Sequence, residues 1–193
     1  MTRIISNLSS TDFCFQSAGF SARLLAKADQ ALYQQLYCSQ QVMQYIGKPL
    51  TAAQANASFN AALKHNDMAS EQCYFGCRVF LVLVDTVLNQ YSGLFSASLQ
   101  PLAAMGLTEG RSQQTSGPDG KFEAELGIML LPSAQKRGGG QAAIRGLCQK
   151  LRGQPKLYGF TFCTATNNFA AKKLVSRLGF VYCENRNCYQ LLK

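Results

Sequence analysis

Residues 127–151 read GIMLLPSAQKRGGGQAAIRGLCQKL, with three consecutive glycines at 138–140 between an apolar run and an amphipathic run. A glycine in a helix interior costs about 1 kcal/mol relative to alanine, so this stretch needs a compensating use for its glycines. Pro132 closes the apolar run, which is typical of a strand, and the spacing of apolar residues over 140–151 predicts a helix. The glycines therefore lie at a predicted strand-to-helix turn.

Such a turn can bind an anion. Glycines leave the backbone open, several N–H groups point at one spot, and the helix N-terminus adds a partial positive charge. Lys136 and Arg137 precede the glycines and would neutralise a bound phosphate. The string GGGQAAIRG does not give the dinucleotide pattern G-x-G-x-x-G, and no GK[ST] follows for a Walker loop. A phosphate-binding turn and a purely structural turn both remain open at this point.

The composition indicates a globular protein. With 193 residues and 47% hydrophobic residues, we expect one domain over 1–193, with residues 1–20 as an extension of uncertain structure. The longest apolar run, VFLVLV at 79–84, is too short to span a bilayer, and the N-terminus lacks the apolar core of a signal peptide. We therefore expect a cytoplasmic protein.

Cysteines and charges give weaker indications. The eight cysteines form no CxxC pair and accompany a single histidine, so we expect small buried side chains in a reducing compartment and no metal site. Residues 1–120 carry seven cationic and seven anionic side chains, whereas residues 121–193 carry twelve and three. This excess indicates an anionic ligand or partner, although a solvated basic surface would look the same.

The order of predicted elements changes along the chain. Strands are predicted at 22–28, 79–84, 91–99, 122–131 and 157–163, helices at 30–37, 51–63, 140–151 and 168–178, and one or two strands after residue 180. The second and third strands should form a hairpin, and Thr51 with Gln54 has the pattern of a capping box. The alternation after residue 121 predicts a sheet that is parallel at least in part, and residues 101–120 a long polar loop.

These motifs resemble the GNAT superfamily of N-acetyltransferases. Gln135, Gly138 and Gly140 fill its signature [QR]-x-x-G-x-[GA], and NFAAKKLVSRLGF at 168–180 is similar to its next helix and strand. LYQQLYCSQQVMQYIGKPLTAAQANASF at 32–59 and AELGIMLLP at 124–132 resemble the ribosomal-protein N-terminal acetyltransferase branch. The resemblance implies an α/β (α+β) fold in which a central mixed, twisted sheet of about six or seven strands has helices on both faces.

The resemblance also implies acetyl-coenzyme A as cosubstrate and a primary amine as acceptor. The acceptor would be a ribosomal or other protein N-terminus, a polyamine or a small amine. A membrane or nucleic-acid partner is not expected, and the protein would be a monomer or a homodimer. The backbone of Ile128, Met129 and Leu130 would pair with pantetheine, on a strand that in this family usually carries a bulge. Asn168 would contact pantetheine, cap its helix or do both, and Asn167 could be the cap instead. The pyrophosphate would bind residues of the turn: Gln135, Lys136, Arg137, Gly138, Gly139, Gly140 and Gln141.

Acetyl transfer needs a neutral amine, a site for the developing oxyanion and a proton for the leaving thiolate. Glu125, on the strand leading into the turn, is the predicted base, although it could instead order the site or pair with a cation. Glu123 should face the same side, nearer the solvent. The usual acid positions of the superfamily hold Val175 and Ala171, so Tyr182, Tyr158 or water would have to substitute. Cys163 falls where other relatives have a glutamate, and we expect it to serve in packing.

Two other function classes remain open. A GNAT-like domain could bind acyl-coenzyme A without transferring the acyl group, as a sensor or subunit, and the absence of the usual acids keeps this alternative open. A basic nucleic-acid-binding protein should interleave exposed aromatics with cations, whereas these cations cluster around the glycines and along two helices. This distribution favours the cofactor.

Overall fold

A computed structural model describes residue 5, residues 8–102 and residues 120–193. Five helices are present in this part of the chain: α1 Gln30–Tyr37, α2 Gln40–Met43, α3 Ala52–Met68, α4 Gly139–Leu151 and α5 Phe169–Arg177. The strands are β1 Phe15–Ser17, β2 Phe20–Leu24, β3 Arg78–Asp85, β4 Gln90–Pro101, β5 Phe122–Leu130, β6 Leu157–Phe162, β7 Val181–Cys183 and β8 Cys188–Leu192. None of these helices is long and apolar enough to cross a membrane.

The strands form one mixed sheet in the order β1-β2-β3-β4-β5-β6-β8-β7. Every neighbouring pair is antiparallel except β5 and β6, which are parallel because α4 connects them as a crossover. The sheet has eight strands, more than the six or seven expected. The additional strand is β1, which lies in the segment expected to be an extension and pairs with β2 from Phe15 to Ser17.

Helices cover both faces of the sheet, and the alternation of side chains along the strands explains how. Leu81, Leu83 and Phe95 point into a core that also holds Ile144 and Leu147 of α4 and Val175 of α5. Their strand neighbours Val82 and Leu94 point the other way. They belong to a second cluster, which includes Leu36 of α1 and Phe59 of α3. The α/β fold with helices on both faces is therefore confirmed.

Most predicted elements are present with small shifts of their ends. The capping box of α3 is confirmed, because the Thr51 hydroxyl accepts the Gln54 N–H at 3.3 Å while Gln54 Oε1 accepts the Thr51 N–H at 2.9 Å. The strand predicted at 22–28 is wrong in its limits, since β2 ends at Leu24. The chain turns after this strand, where the Asp29 carboxylate accepts hydrogen bonds from the Ala26 N–H and from two nitrogens of the Arg23 guanidinium group. Residues 103–119 of the predicted loop lie outside the described residues.

The cysteines are free thiols that differ in how far they are exposed. Cys73, Cys77, Cys148 and Cys188 are buried, as expected for small apolar side chains. Cys38 and Cys163 are exposed, which the sequence did not predict. Cys163 therefore does not serve mainly in packing.

Candidate functional site

The two parallel strands separate at their carboxyl ends. Pairing between β5 and β6 runs from Phe122 opposite Leu157 to Leu126 opposite Phe162 and stops there, because β6 ends. β5 continues to Leu130 and pairs only with β4, Ile128 lying opposite Phe95. The segment Gly127–Leu130 thus has a free edge toward β6 and half-buried side chains. An extended ligand can add to such an edge as a further strand would.

The bulge implied by the resemblance is not at this opening. β5 keeps a continuous register with β4 from Phe122 to Leu130, and its one irregularity toward β6 lies at Phe122/Glu123, at the start of the strand. β5 thus has an irregularity toward β6, as is usual in the family, but it lies away from the opening. The opening arises because β5 is four residues longer than its paired stretch with β6.

The glycine turn places several unused N–H groups at the start of α4. After a short 3-10 turn at Pro132–Ala134, Lys136 takes a φ of +62° and Gly138 a φ of +89° as the N-terminal cap. The first internal bond runs from the Ala142 N–H to the Gly138 carbonyl. Among the described residues, no group accepts from the backbone N–H groups of residues 136–141. Together with the helix dipole, these donors are arranged so that they can bind an anion.

Glycine is favoured at these three positions for two different physical reasons. Gly138 is exposed, a Cβ on it would meet no atom within 4 Å, and its positive φ favours glycine. Gly139 and Gly140 are buried, and added Cβ atoms would lie 3.1 Å from the Phe20 ring and 3.1 Å from a Leu174 methyl, respectively. Only Gly138 fits the expectation that a missing side chain opens the backbone to a ligand. The other two allow α4 to pack closely on the sheet and on α5.

The polar side chains of the turn differ in whether they already have a hydrogen-bond or ion-pair partner. Arg137 forms an ion pair with Asp85 at 3.8 Å, so part of its charge is already neutralised. Lys136 is exposed and has no anionic partner among the described residues. Gln135 Nε2 donates to the Leu130 carbonyl at 3.4 Å, which links the turn to the end of β5, and Gln141 is exposed in the first turn of α4.

Asn168 is the N-cap of α5. Its Oδ1 accepts the Ala171 N–H at 3.1 Å, so the capping role is present. Its amide nitrogen makes no hydrogen bond with the described residues. Since α5 follows β6, the cap lies at the same carboxyl end of the sheet as the start of α4.

The two glutamates of β5 have different partners. They point to the face of the sheet opposite α4, because Ala124 and Leu126 point into the α4 core. Glu123 is buried and accepts both Arg186 guanidinium nitrogens at 2.8 and 2.6 Å. It is not near the solvent, and that expectation was wrong.

Glu125 is half-buried, and no side chain in the described part of the chain forms an ion pair or hydrogen bond with it. Its strand neighbours are Ser98 on β4 and Thr161 on β6, so it lies in a polar row beside the opening. The carboxylate next to the free edge is therefore the unpaired one of the two.

The usual acid positions offer no proton donor. Val175 is fully buried, and Ala171 has no polar side-chain atom. The Tyr182 hydroxyl donates to Asn187 Oδ1 at 2.7 Å, and Tyr158 lies near the start of β6, at the end of the strand away from the opening. Cys163 directly follows β6, and burial together with the Glu125 carboxylate raises the pKa of its thiol to about 11.

The sequence reasoning missed three contributors to this site. Asp85 and Arg186 form the ion pairs described above, and they are far in sequence from their partners. The polar row was visible as alternation in LFSASLQ at 94–100, where Ser96, Ser98 and Gln100 alternate with apolar residues. That alternation gives one face of β4 polar side chains beyond Leu94, which is a usable signal for a polar site.

The comparisons with known proteins agree with this geometry. An acetyltransferase from Salmonella typhimurium that modifies the N-terminal serine of a 50S ribosomal subunit protein matches with a TM-score of 0.66 and 13% identity, over 92% of this chain and 96% of that one. Spermidine N-acetyltransferase from Vibrio cholerae, solved with coenzyme A and spermine, matches at 0.60 and 18%, over 86% and 82%. No curated protein sequence matches this chain.

A third structure is that of RimL, a ribosomal-protein α-N-acetyltransferase, with coenzyme A joined by a disulfide to one of its cysteines. It matches with a TM-score of 0.67 and 13% identity, over 93% of this chain and 97% of that one. At such low identity these structures establish a shared fold. The family model of the GNAT acetyltransferase domain matches residues 22–181, most of the chain. The chain belongs to the GNAT family of acetyltransferases.

Proposed function

We propose that this protein transfers the acetyl group of acetyl-coenzyme A directly to a primary amine bound beside it. One observation carries the proposal: the free edge of β5 and the unused N–H groups of the glycine turn adjoin each other. A Cβ at Gly140 would lie 3.6 Å from a Leu130 methyl and 3.7 Å from an Ile128 methyl, so turn and edge form one continuous path. An extended thioester with a diphosphate at its other end fits such a path.

The pyrophosphate would accept hydrogen bonds from the N–H groups of residues 136–141. Lys136, which has no anionic partner among the described residues, would add its charge. Arg137 could add its charge by exchanging Asp85 for the phosphate, since their ion pair is long at 3.8 Å. The amide groups of pantetheine would pair with the backbone of Ile128, Met129 and Leu130. Asn168 would donate from its amide nitrogen, because its oxygen is used in capping. RimL with coenzyme A and the Vibrio cholerae enzyme with coenzyme A support this cosubstrate.

The reaction would take place where β5 and β6 separate. Glu125 first takes one proton from the ammonium group of the acceptor, directly or through a water, so that the attacking amine is neutral. The amine nitrogen attacks the thioester carbonyl, and a β5 N–H at the free edge stabilises the oxyanion. After the attack the C–S bond breaks, and the second amine proton passes through water to the leaving thiolate. Glu125 suits this role because it is half-buried and unpaired among the described residues, whereas Arg186 already holds Glu123.

The acceptor would be an amine that is cationic in solution. An unpaired carboxylate attracts an ammonium group, and Ser98 and Thr161 offer hydrogen bonds around it. The related structures support this class, since one holds spermine and another enzyme modifies an N-terminal serine. We infer that polyamines and protein N-termini are the first acceptors to test.

The test measures free thiol released from acetyl-coenzyme A in the presence of a panel of amines: spermine, an alanine- or serine-initiated peptide and a small amine. Acceptor-dependent thiol release with matching acetylated product is the expected result. Tight binding of acetyl-coenzyme A with no release above background for any amine would instead support a non-catalytic acyl-coenzyme A sensor. No binding at all would contradict both.

A further inference from the structure

Three cysteines stand in one row across the C-terminal part of the sheet. Cys183 ends β7 and lies opposite Cys188, the first residue of β8. On the other side of β8, Tyr189 lies opposite Phe162, so the next pair in that antiparallel register is Cys188 and Cys163. Cys188 is therefore the middle thiol of a row that begins at the opening beside β5.

The backbone pattern shows which pair is the closer one. The Lys193 N–H donates to the Tyr158 carbonyl at 3.1 Å, which makes these two residues a hydrogen-bonded pair of the β6–β8 ladder. Pair types alternate, so Cys163 and Cys188 form a non-hydrogen-bonded pair, for which the Cα atoms are about 4.5 Å apart and the side chains approach closely. This lies within the range of Cα distances of roughly 4.4–6.8 Å that a disulfide spans.

The same alternation makes Cys188 and Cys183 a hydrogen-bonded pair, about 5.5 Å apart at Cα. The Cys163 and Cys188 thiols are close enough that each affects the pKa of the other. Within the described residues, no group of three side chains is placed to hold a metal, so the row is not a metal site. Both cysteine pairs are thus within the Cα range of a disulfide, and they differ in access, because Cys163 is exposed whereas Cys183 is half-buried.

The two thiols differ in access. Cys163 is exposed at the end of β6, whereas Cys188 is only 3% exposed. We propose that Cys163 and Cys188 form a redox-active pair, in which Cys163 reacts with a small-molecule disulfide and Cys188 resolves the product into an intrachain disulfide. The pair lies beside Glu125, so its oxidation would occur at the position where we propose the thioester to react.

The chemistry is two thiol–disulfide exchanges. The Cys163 thiolate attacks one sulfur of the reagent, the reagent's S–S bond breaks, and one reagent thiolate leaves, giving a mixed disulfide. The Cys188 thiolate then attacks the Cys163 sulfur and expels the second thiolate. The protein loses two protons and two electrons, and the reagent is reduced to two thiols. A dithiol reductant reverses both steps.

The surroundings set the rate of the first exchange. The charged and titratable groups that face Cys163 are Glu125 on β5, Cys188 on β8 and Arg186 in the turn between β7 and β8. Burial first, and the Glu125 carboxylate second, raise the pKa of Cys163 to about 11. The thiolate fraction, and with it the rate, should rise about tenfold per pH unit between pH 7 and pH 9. Glu125→Gln removes one cause of the raised pKa and should speed the exchange.

The experiment treats the full chain with glutathione disulfide and follows intact mass and peptide maps. Wild type should show a transient glutathione adduct and then the loss of two hydrogens, with a cross-link between the Cys163 and Cys188 peptides. Cys188→Ser should retain the adduct on Cys163, and Cys163→Ser should form neither product. Cys38→Ser removes an exposed cysteine elsewhere and should give the wild-type cross-link.

Several results would overturn the proposal: a lasting adduct on Cys163 in wild type, a cross-link that joins Cys183 to Cys188 instead, or reaction at Cys38 alone. Saturating acetyl-coenzyme A should slow the modification at least several-fold, and this arm alone rests on the proposed function. A cross-link that forms at the same rate with the cosubstrate present would retain the redox pair and contradict the proposed position of the thioester.

Discussion

Replacing Gly138 by aspartate would place a carboxylate beside the N–H groups that we propose bind pyrophosphate. Gly138 is exposed, and a Cβ added to it would meet no atom within 4 Å, so the side chain fits without displacing a neighbour. Its φ of +89° lies in the left-handed region, which aspartate and asparagine tolerate better than other residues with a Cβ. We therefore expect a folded variant, destabilised by about 1 kcal/mol.

The loss of cofactor affinity should come mainly from charge. Two unit charges 4 Å apart interact by about 1 kcal/mol in water and about 4 kcal/mol at the effective dielectric near a protein surface. Because Gly138 is exposed, the value should lie toward the lower limit for each charge of the pyrophosphate. A total of about 2 to 3 kcal/mol corresponds to acetyl-coenzyme A binding weakened roughly 30- to 150-fold.

Titration calorimetry with acetyl-coenzyme A measures this loss, and two variants separate its causes. Gly138→Asn has nearly the same shape without the charge and should bind considerably better than Gly138→Asp. Gly47→Asp makes the same charge change at an exposed glycine that has no atom within 4 Å of its added Cβ, and it should bind like wild type. Undiminished affinity in folded Gly138→Asp, or equal losses in the two Gly138 variants, would refute the electrostatic reasoning.

Three further predictions concern the base, the buried ion pair and the packing of α4. Glu125→Gln should lower turnover roughly 10²- to 10⁴-fold with nearly unchanged affinity for acetyl-coenzyme A, because the amide keeps the shape but cannot accept the proton; a turnover within a few-fold of wild type would assign Glu125 a structural role. Arg186→Gln should destabilise the fold by about 2 kcal/mol in urea denaturation, because it leaves the buried Glu123 without its bidentate partner; the loss is moderate since Arg186 itself is 44% exposed. As a control, Arg145→Gln removes an exposed cation that forms no ion pair among the described residues, and it should cost less than about 0.5 kcal/mol. Equal losses in the two variants would contradict the importance of the pair. Gly146→Ala should destabilise the fold by about 1–3 kcal/mol in the same assay, because the added methyl group overlaps the Phe15 ring of β1. As a control, Gly153→Ala should be nearly neutral, since no atom lies within 4 Å of its new methyl group. Unchanged stability of Gly146→Ala would show that β1 can move away freely.

The sequence by itself determined the order of the elements from β2 onward, apart from the short α2, and the position of the glycine turn. Strand and helix periods are local properties, so the β5–α4–β6 unit could be predicted from spacing alone. The cap of α5 was narrowed to Asn167 or Asn168, and the structure has it at Asn168. The cap of α3 followed from Thr51 and Gln54 in the same way. The glycine turn was also local, because unused N–H groups at a helix start depend only on neighbouring residues.

Only the tertiary structure decided which polar groups are free to act. Glu123 and Glu125 are equivalent by their period of two, but Arg186, 63 residues away, holds Glu123 and leaves Glu125 unpaired among the described residues. The opening exists because β6 ends earlier than β5, and Cys163 meets Cys188 because β8 inserts beside β6. Sequence periodicity gives the direction in which a side chain points, whereas its partner comes from whichever strand the chain packs next to it.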